Sequence, residues 1–381
     1  MTVHSGHTIC DALARLTGAP ISDGNRLNLL RDGETYFPAL LSAVHGARCS
    51  VSVQMYRFHG GMVATRFAHA FADRARAGVP VRVLIDDYGT GGMDRELATF
   101  LGSSGVDVRI YNPLRITNLC RLNRRNHRKL IVIDGREAFV GGMNLDDVFA
   151  GGAGKRAWRE NAVHVRGPMA RQIDAGISAA WSGRGPEASP YSSPRKMGLI
   201  ASDAQLLLSD RGRSTLRTAY LHVIRTAVRS VHISTAYFIP ESDLADALVR
   251  AARRGVDVRV LTTGAHNNIA LARIGSHATY GPLLRGGVRI FEYRPAMLHA
   301  KSIIVDGKWC ALGSANLDAC GFRFNLESLL ATCDAAFVDE LQQSYLADAQ
   351  EADEITLAAW KRRPLAKRVS DMLARPLRRV L

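Results

Sequence analysis

His127-Arg-Lys-Leu-Ile-Val-Ile-Asp-Gly135, followed by Gly141-Gly-Met-Asn144, is answered later in the chain by His299-Ala-Lys-Ser-Ile-Ile-Val-Asp-Gly307, followed by Gly313-Ser-Ala-Asn316. The internal spacings of the two copies are identical. His127 and Lys129, like His299 and Lys301, stand two residues apart, so on an extended strand they point to the same face. The apolar runs Ile131 to Ile133 and Ile303 to Val305 bury that strand. Asp-Gly is a strong hairpin signal, so a second strand returns beside the first. That return strand ends near Asn144 or Asn316, close to the starting histidine. Each copy thus gathers an imidazole, an ammonium and an amide on one small patch.

The repetition extends outward. Ala77-Gly-Val-Pro-Val-Arg-Val-Leu-Ile85 is echoed by Arg254-Gly-Val-Asp-Val-Arg-Val-Leu-Thr262, each a short Val-rich strand after a helical stretch (62–76 and 242–253). Gly105-Val-Asp-Val-Arg-Ile-Tyr-Asn-Pro113 is matched by Gly287-Val-Arg-Ile-Phe-Glu-Tyr-Arg-Pro295, and Cys49 to Tyr56 by Ser230 to Tyr237. Strand, helix, strand, helix, strand in each half predicts an α/β fold, with a mainly parallel or mixed sheet flanked by helices. The repeat is far too long for a solenoid and marks a duplicated domain. The stretch Gly185 to Arg195, rich in Pro, Ser and Gly, is expected to be a linker. The chain divides into a leader (1–25), a first domain (26–185), the linker (186–200), a second domain (201–347) and a tail (348–381).

Composition bounds the rest. With 47% hydrophobic and 22% charged residues over 381 positions, the chain is globular and has length for two domains. A net charge of +15 calls for an anionic partner, nucleic acid or acidic lipid. Six scattered cysteines without a C-x-x-C pair argue against a disulfide framework or a zinc site, and favour thiols in a reducing compartment. No apolar run is long enough to span a bilayer, and the first twenty residues make a poor signal peptide, which favours the cytoplasmic side.

Two facing patches of this kind suit phosphoryl chemistry. The lysines neutralise a phosphate and the asparagines bond its oxygens. One histidine attacks phosphorus while the other protonates the leaving alkoxide, and an imidazole with an ordinary pKa of about 6.5 serves either role. No metal or other cofactor is needed, because basic residues already hold the negative charge. The pattern resembles the paired H-x-K-x(4)-D motifs of the phospholipase D superfamily, over residues 26 to 347 or nearly so. That resemblance implies two tandem domains related by a pseudo-twofold axis, with His127 as nucleophile and His299 as general acid and then base. The motif residues are His127, Lys129, Asp134, His299, Lys301 and Asp306, the two aspartates being mostly structural in such proteins. Supporting residues are Asn144 and Asn316, with a carboxylate downstream of each motif to orient a histidine. Glu160 in Trp158-Arg-Glu-Asn161 and Glu327 in Phe324-Asn-Leu-Glu-Ser328 fit, although the first position more often carries Asp.

Leu29 to Pro38, Arg125-Asn-His-Arg-Lys-Leu130, Phe139 to Asn144, and Trp158 to Asn161 leading to Arg166-Gly-Pro168 resemble bacterial cardiolipin synthases without transmembrane helices. The implied reaction moves a phosphatidyl group from phosphatidylglycerol to a second phospholipid. The implied setting is peripheral, on the cytoplasmic face of the inner membrane, against an anionic surface. Between Pro113 and His127 lies an insertion bearing Arg115, Arg121, Arg124 and Arg125 among Leu114, Ile116, Leu119 and Leu122, either a headgroup-touching rim or a solvated loop. The tail alternates Leu365, Val369, Met372, Leu373, Leu377 and Val380 with basic residues, as a membrane-surface helix or one docked on the protein. Three rivals stay open: a phospholipase D-type hydrolase, a metal-independent nuclease of the same superfamily, and a catalytically silent lipid-binding protein. Two motifs in one chain and an apolar, basic tail favour lipid, so no nucleic acid partner is expected.

Overall fold

The computed structural model describes residues 6–91, 95–113, 124–151, 156–183, 202–209 and 215–364. The expected linker, the residues of the insertion from 114 to 123, and the tail from Leu365 onward lie outside the described residues. The first half supplies β1 (Ile21–Arg31), β2 (Val51–Met55), β3 (Val81–Asp86), β4 (Asp107–Tyr111), β5 (Leu130–Ile133), β6 (Glu137–Gly141) and β7 (Asn161–Arg166). The second supplies β8 (Ser202–Leu208), β9 (Ser230–Thr235), β10 (Asp257–Thr263), β11 (Arg289–Tyr293), β12 (Ser302–Val305), β13 (Trp309–Gly313), β14 (Ser328–Thr332) and β15 (Ala352–Ile355). All join one sheet in the order β15-β11-β10-β9-β12-β13-β14-β8-β1-β7-β6-β5-β2-β3-β4. Read inward from either side, the two halves follow one strand order, with β15 an added edge. They meet where β1 and β8 pair antiparallel, with a register shift between Ser22 and Asn25.

The sheet is mixed. Only β2-β3-β4 and β9-β10-β11 run parallel, joined by crossover helices such as Met62–Arg76 and Ser242–Arg253. The remaining pairs are antiparallel because the motif strand turns back on itself. Asp134 and Gly135 (φ 54° and 63°), and Asp306 and Gly307 (φ 56° and 65°), take the left-handed conformation that a tight hairpin requires. The Arg136 and Lys308 N–H groups close those turns on the Ile133 and Val305 carbonyls.

Both faces of the motif strands are buried, which explains their unbroken apolar runs. Ile131 and Ile133 enter a core beneath the helices of the first half, while Leu130 and Val132 enter a central core. In the second half, Ile303 and Val305 enter its own core and Ile304 the central one. That central layer mixes Val140, Val163 and Ile173 with Leu298, Leu312 and Phe337, welding the halves together. At about 1.5–3 kcal/mol per large apolar side chain removed from water, this shared layer makes independent motion of the halves costly.

The ends of the chain contribute more than their composition suggests. The helix Gly6–Thr17, counted with the leader, buries Ile9, Cys10 and Leu13 in the core of the second half. The strand β1 runs through residue 25, and the helix Ala335–Gln350 through residue 347, so both divisions fall inside continuous elements. Residues 352–361, counted with the tail, pair with β11 and form the helix Leu357–Lys361. Among the described residues no helix is long and apolar enough to cross a membrane.

Candidate active site

The site lies where the motif strands begin. Because β5 is antiparallel to β2, and β12 to β9, His127 and His299 sit at the carboxyl ends of the parallel strands of their halves. Such ends are where ligands bind in α/β sheets. Two backbone crossings bring the halves together there. Asn126 bridges Leu326, with His127 N–H donating to the Leu326 carbonyl at 2.9 Å and Leu326 N–H to the Arg125 carbonyl at 2.8 Å. Arg159 bridges Leu298, with Arg159 N–H donating to Met297 at 2.9 Å and His299 N–H to Arg159 at 2.7 Å.

Each crossing sets a histidine beside the glutamate of the other half. His127 Nδ1 lies 2.9 and 3.0 Å from the two Glu327 carboxylate oxygens, and His299 Nδ1 lies 2.6 Å from Glu160 Oε2. With Nδ1 engaged, Nε2 is the nitrogen left to meet a substrate. The histidine side chains keep 13% and 8% exposure, whereas those of Glu327 and Glu160 keep 1% and 0%, so a ligand reaches the rings and not the carboxylates. The lysines are buried as well. Lys129 donates to the His127 carbonyl at 2.7 Å, and Lys301 to that of His299, while Lys301 Nζ lies 3.5 Å from Glu160. The Tyr56 ring stands 4.7 Å from that of His127 and 5.0 Å from the Lys129 ammonium. Phe149 and Trp158 face His299 at 5.3 and 5.4 Å.

This crowding of charge shifts both histidines, both lysines and Glu160. Burial lowers His127, partly opposed by Glu327, with Lys129 pushing the same way as burial. Burial holds His299 well below the ordinary imidazole range, and Lys301, Lys129 and His127 add to it. Lys129 and Lys301 are also depressed by burial, against the pull of the glutamates. Glu160 is pushed up to about 7 by burial, with Lys301 opposing. These are the properties of a site that waits for an anion to complete its charge.

The two halves are not mirror copies in detail. Ser314 Oγ donates to Glu327 Oε2 at 2.5 Å and accepts from Ser328 N–H at 2.9 Å. Its counterpart is Gly142, where an added Cβ would lie 2.1 Å from Glu160 Oε2, so a side chain there would displace that carboxylate. Asn144 and Asn316 follow two residues behind these positions. Asn144 Oδ1 accepts from Arg57 N–H at 3.1 Å, and Asn316 Oδ1 is buried without a protein donor.

His127, Lys129, His299, Lys301, Glu160 and Glu327 are therefore gathered in one place, with the asparagines beside them. Asp134 and Asp306 are not among them. They stand at the far ends of β5 and β12, where Asp134 accepts from the N–H groups of Arg48, Cys49 and Ser50, and Asp306 from those of Val228, Arg229 and Ser230. Their work is to hold the hairpin against the start of β2 or β9. Three contributors escaped the sequence reading. Arg128 reaches the carbonyls of Glu327 (3.1 Å) and Ser209 (2.5 Å), and Arg159 binds Asp348 (2.8 Å), Asp32 (3.0 Å) and Ser344 (2.6 Å), so both latch the halves. Ser314 is the third. Arg128 carried a signal of sorts, since it stands between His127 and Lys129 just before the apolar strand Leu130–Ile133.

Comparison with known proteins agrees with this architecture. A family model described as the cardiolipin synthase, phospholipase D-like domain matches residues 40–181 and 220–349. Cardiolipin synthase A of Pseudomonas entomophila (strain L48) is 33% identical over 349 residues, 91% of this chain and 73% of that protein. Cardiolipin synthase B of Escherichia coli (strain K12) is 33% identical over 354 residues, covering 88% and 84%. The crystal structure of phosphatidylserine synthase from Haemophilus influenzae Rd KW20 superposes with a TM-score of 0.75 over 98% of this chain and all of that one. At 13% identity it shows a shared fold. The duplicated motif, the crossed site and the extent of these matches lead to one assignment: this chain belongs to the cardiolipin synthase-like phosphatidyltransferases of the phospholipase D superfamily.

Proposed function

We propose that this chain moves a phosphatidyl group from phosphatidylglycerol to the free hydroxyl of a second phospholipid, through a phosphohistidine on His127. In the first step His127 Nε2 forms a bond to phosphorus while the bond to the glycerol oxygen breaks, and His299 gives that oxygen its proton. In the second, His299 takes the proton of the acceptor hydroxyl, whose oxygen bonds phosphorus as the P–N bond breaks and frees His127. The lysines and asparagines hold the non-bridging oxygens. The observation that carries this reading is the crossed pairing, which gives two Nδ1-anchored imidazoles to a single cleft.

We also place the enzyme peripherally on an anionic membrane surface, cleft end down. Among the described residues, five of the eight exposed large apolar side chains, Met62, Tyr88, Ile269, Leu271 and Ile274, follow the carboxyl ends of β2, β3 and β10, the end that bears the cleft. The net charge of +15 suits the anionic leaflet that faces the cytoplasm. The test is mass spectrometry of products from phosphatidylglycerol vesicles. Cardiolipin and glycerol are expected from wild type, and neither from His127→Ala. Phosphatidic acid alone identifies a hydrolase and overturns the transferase reading.

A further inference from the structure

A cavity of about 630 Å³ lies between the halves beside His299, and no step of the reaction above uses it. Its walls include Phe37, Pro38, Met62, Val63 and Phe149 from the first half and Ala296 from the second. Phe149 both lines the cavity and meets the His299 ring edge-on, and Trp158 packs on Phe149 at 5.6 Å and on His299 at 5.4 Å. One aromatic layer therefore separates the cavity from the reacting imidazole. The volume falls among the roughly 300–1,000 Å³ typical of ligand pockets. Asp32, on the lining, is compensated by Arg159 at 3.0 Å and by Glu160 N–H at 2.9 Å. At 75% Met62 has the greatest exposure among the exposed large apolar residues described, and it stands on the lining of this cavity. Arg66 and Arg156 flank the same lining and are exposed.

We propose that this cavity receives one acyl chain of the phospholipid whose phosphate lies between His127 and His299, with Met62 at its mouth and Arg66 and Arg156 toward the phosphates of the surrounding bilayer. The inference rests on the phosphatidyltransferase reading and adds to it a determinant of chain length. The competing occupant, a glycerol headgroup, would find partners in Asp32 and Glu34 on the lining but would otherwise meet the apolar walls of Phe37, Pro38, Val63, Phe149 and Ala296, which suit an acyl chain better.

Filling the cavity tests this. Ala157 is half-buried and Ala150 exposed, and both line the cavity, so Ala157→Phe and Ala150→Phe add bulk from its edge with little demand on the fold. Each buried methylene multiplies affinity about fourfold, so excluding two or three lowers kcat/KM on long-chain phosphatidylglycerol about 15- to 60-fold. The expected result is that loss with dihexanoyl phosphatidylglycerol unchanged within about twofold by the same reckoning. Equal loss on both substrates makes this a headgroup pocket, and no loss on either leaves it unused. Either outcome overturns the proposal. A binding arm is independent of turnover: phosphatidylglycerol with bromine-substituted acyl chains should quench Trp158, identified by difference with Trp158→Phe, and Ala157→Phe should abolish that quenching. If wild type transforms neither lipid, the function assigned above fails, while quenching still decides the cavity. Undiminished quenching in Ala157→Phe refutes the acyl site.

Discussion

Glu327→Gln is the substitution that bears most directly on the crossed site, because it disarms a histidine in the opposite half of the chain. Glutamine keeps the volume but removes the charge that accepts from His127 Nδ1 at 2.9 and 3.0 Å and from Ser314 at 2.5 Å. A hydrogen bond to a charged group contributes about 1.5–3 kcal/mol, or about 10- to 150-fold in rate at about 1.36 kcal/mol per decade. If the amide NH2 faces Nδ1, the ring proton moves to Nε2 and the attacking lone pair is lost. A carboxylate-to-amide change of this type in a serine-protease triad costs about 10⁴. The expected fall in kcat is therefore about 10 to 10⁴, the upper end applying if the tautomer changes, with the melting temperature as a control for folding. A p-nitrophenyl phosphodiester separates the steps in rapid-mixing experiments, since its leaving group needs no proton. Glu160→Gln and His299→Ala should keep a burst of p-nitrophenol, accompanied by acid-labile phosphate on the His127 peptide. Glu327→Gln and His127→Ala should show neither. The crossed assignment is refuted if Glu327→Gln stays within threefold of wild type, or if the burst is lost in Glu160→Gln and kept in Glu327→Gln.

Gly142→Ala should abolish transfer without altering circular dichroism, because the new methyl displaces the Glu160 carboxylate from its 2.6 Å contact with His299. Asp134→Asn should lower stability by about 1–2 kcal/mol through weaker acceptance of three backbone N–H groups, with kcat per folded molecule unchanged. Burial pushes the Asp134 carboxyl up, but those N–H groups outweigh it and hold it below the ordinary range. Its contribution is thus present above the usual aspartate pKa and lost as pH falls through the depressed one, so the variant should show a flatter acid limb in thermal melts. Inorganic phosphate should bind with uptake of protons and tighten as pH falls, because an arriving anion raises imidazoles and lysines that burial has lowered. Calorimetry in buffers of different ionisation enthalpy reads that uptake directly, and a value of zero contradicts the electrostatic account.

Much of this site could be read from residue order. The two-residue step from His127 to Lys129, and from His299 to Lys301, sets both groups on one face of a strand. Asp134-Gly135 and Asp306-Gly307 dictate the hairpin, because that dipeptide accepts positive φ at low cost. These rules act over a few residues, so the duplicated domain, the buried motif strands and the chemical character of the site follow from the sequence by itself. The mixed sheet required one more step, weighing the antiparallel returns of each half against its parallel crossovers.

What only the tertiary structure decided is which carboxylate serves which imidazole. His127 and Glu327 are 200 residues apart, and His299 and Glu160 are 139 apart, so no local periodicity connects them. Their pairing depends on the bridges at Asn126 and Arg159, on the Arg128 and Arg159 latches, and on the central core drawn from both halves. The same holds for the helix Gly6–Thr17, whose apolar residues make sense only against the distant core they fill. Strand period and turn chemistry are properties of neighbours in the chain, whereas the meeting of two half-sites is a property of surfaces that touch only after each half has folded.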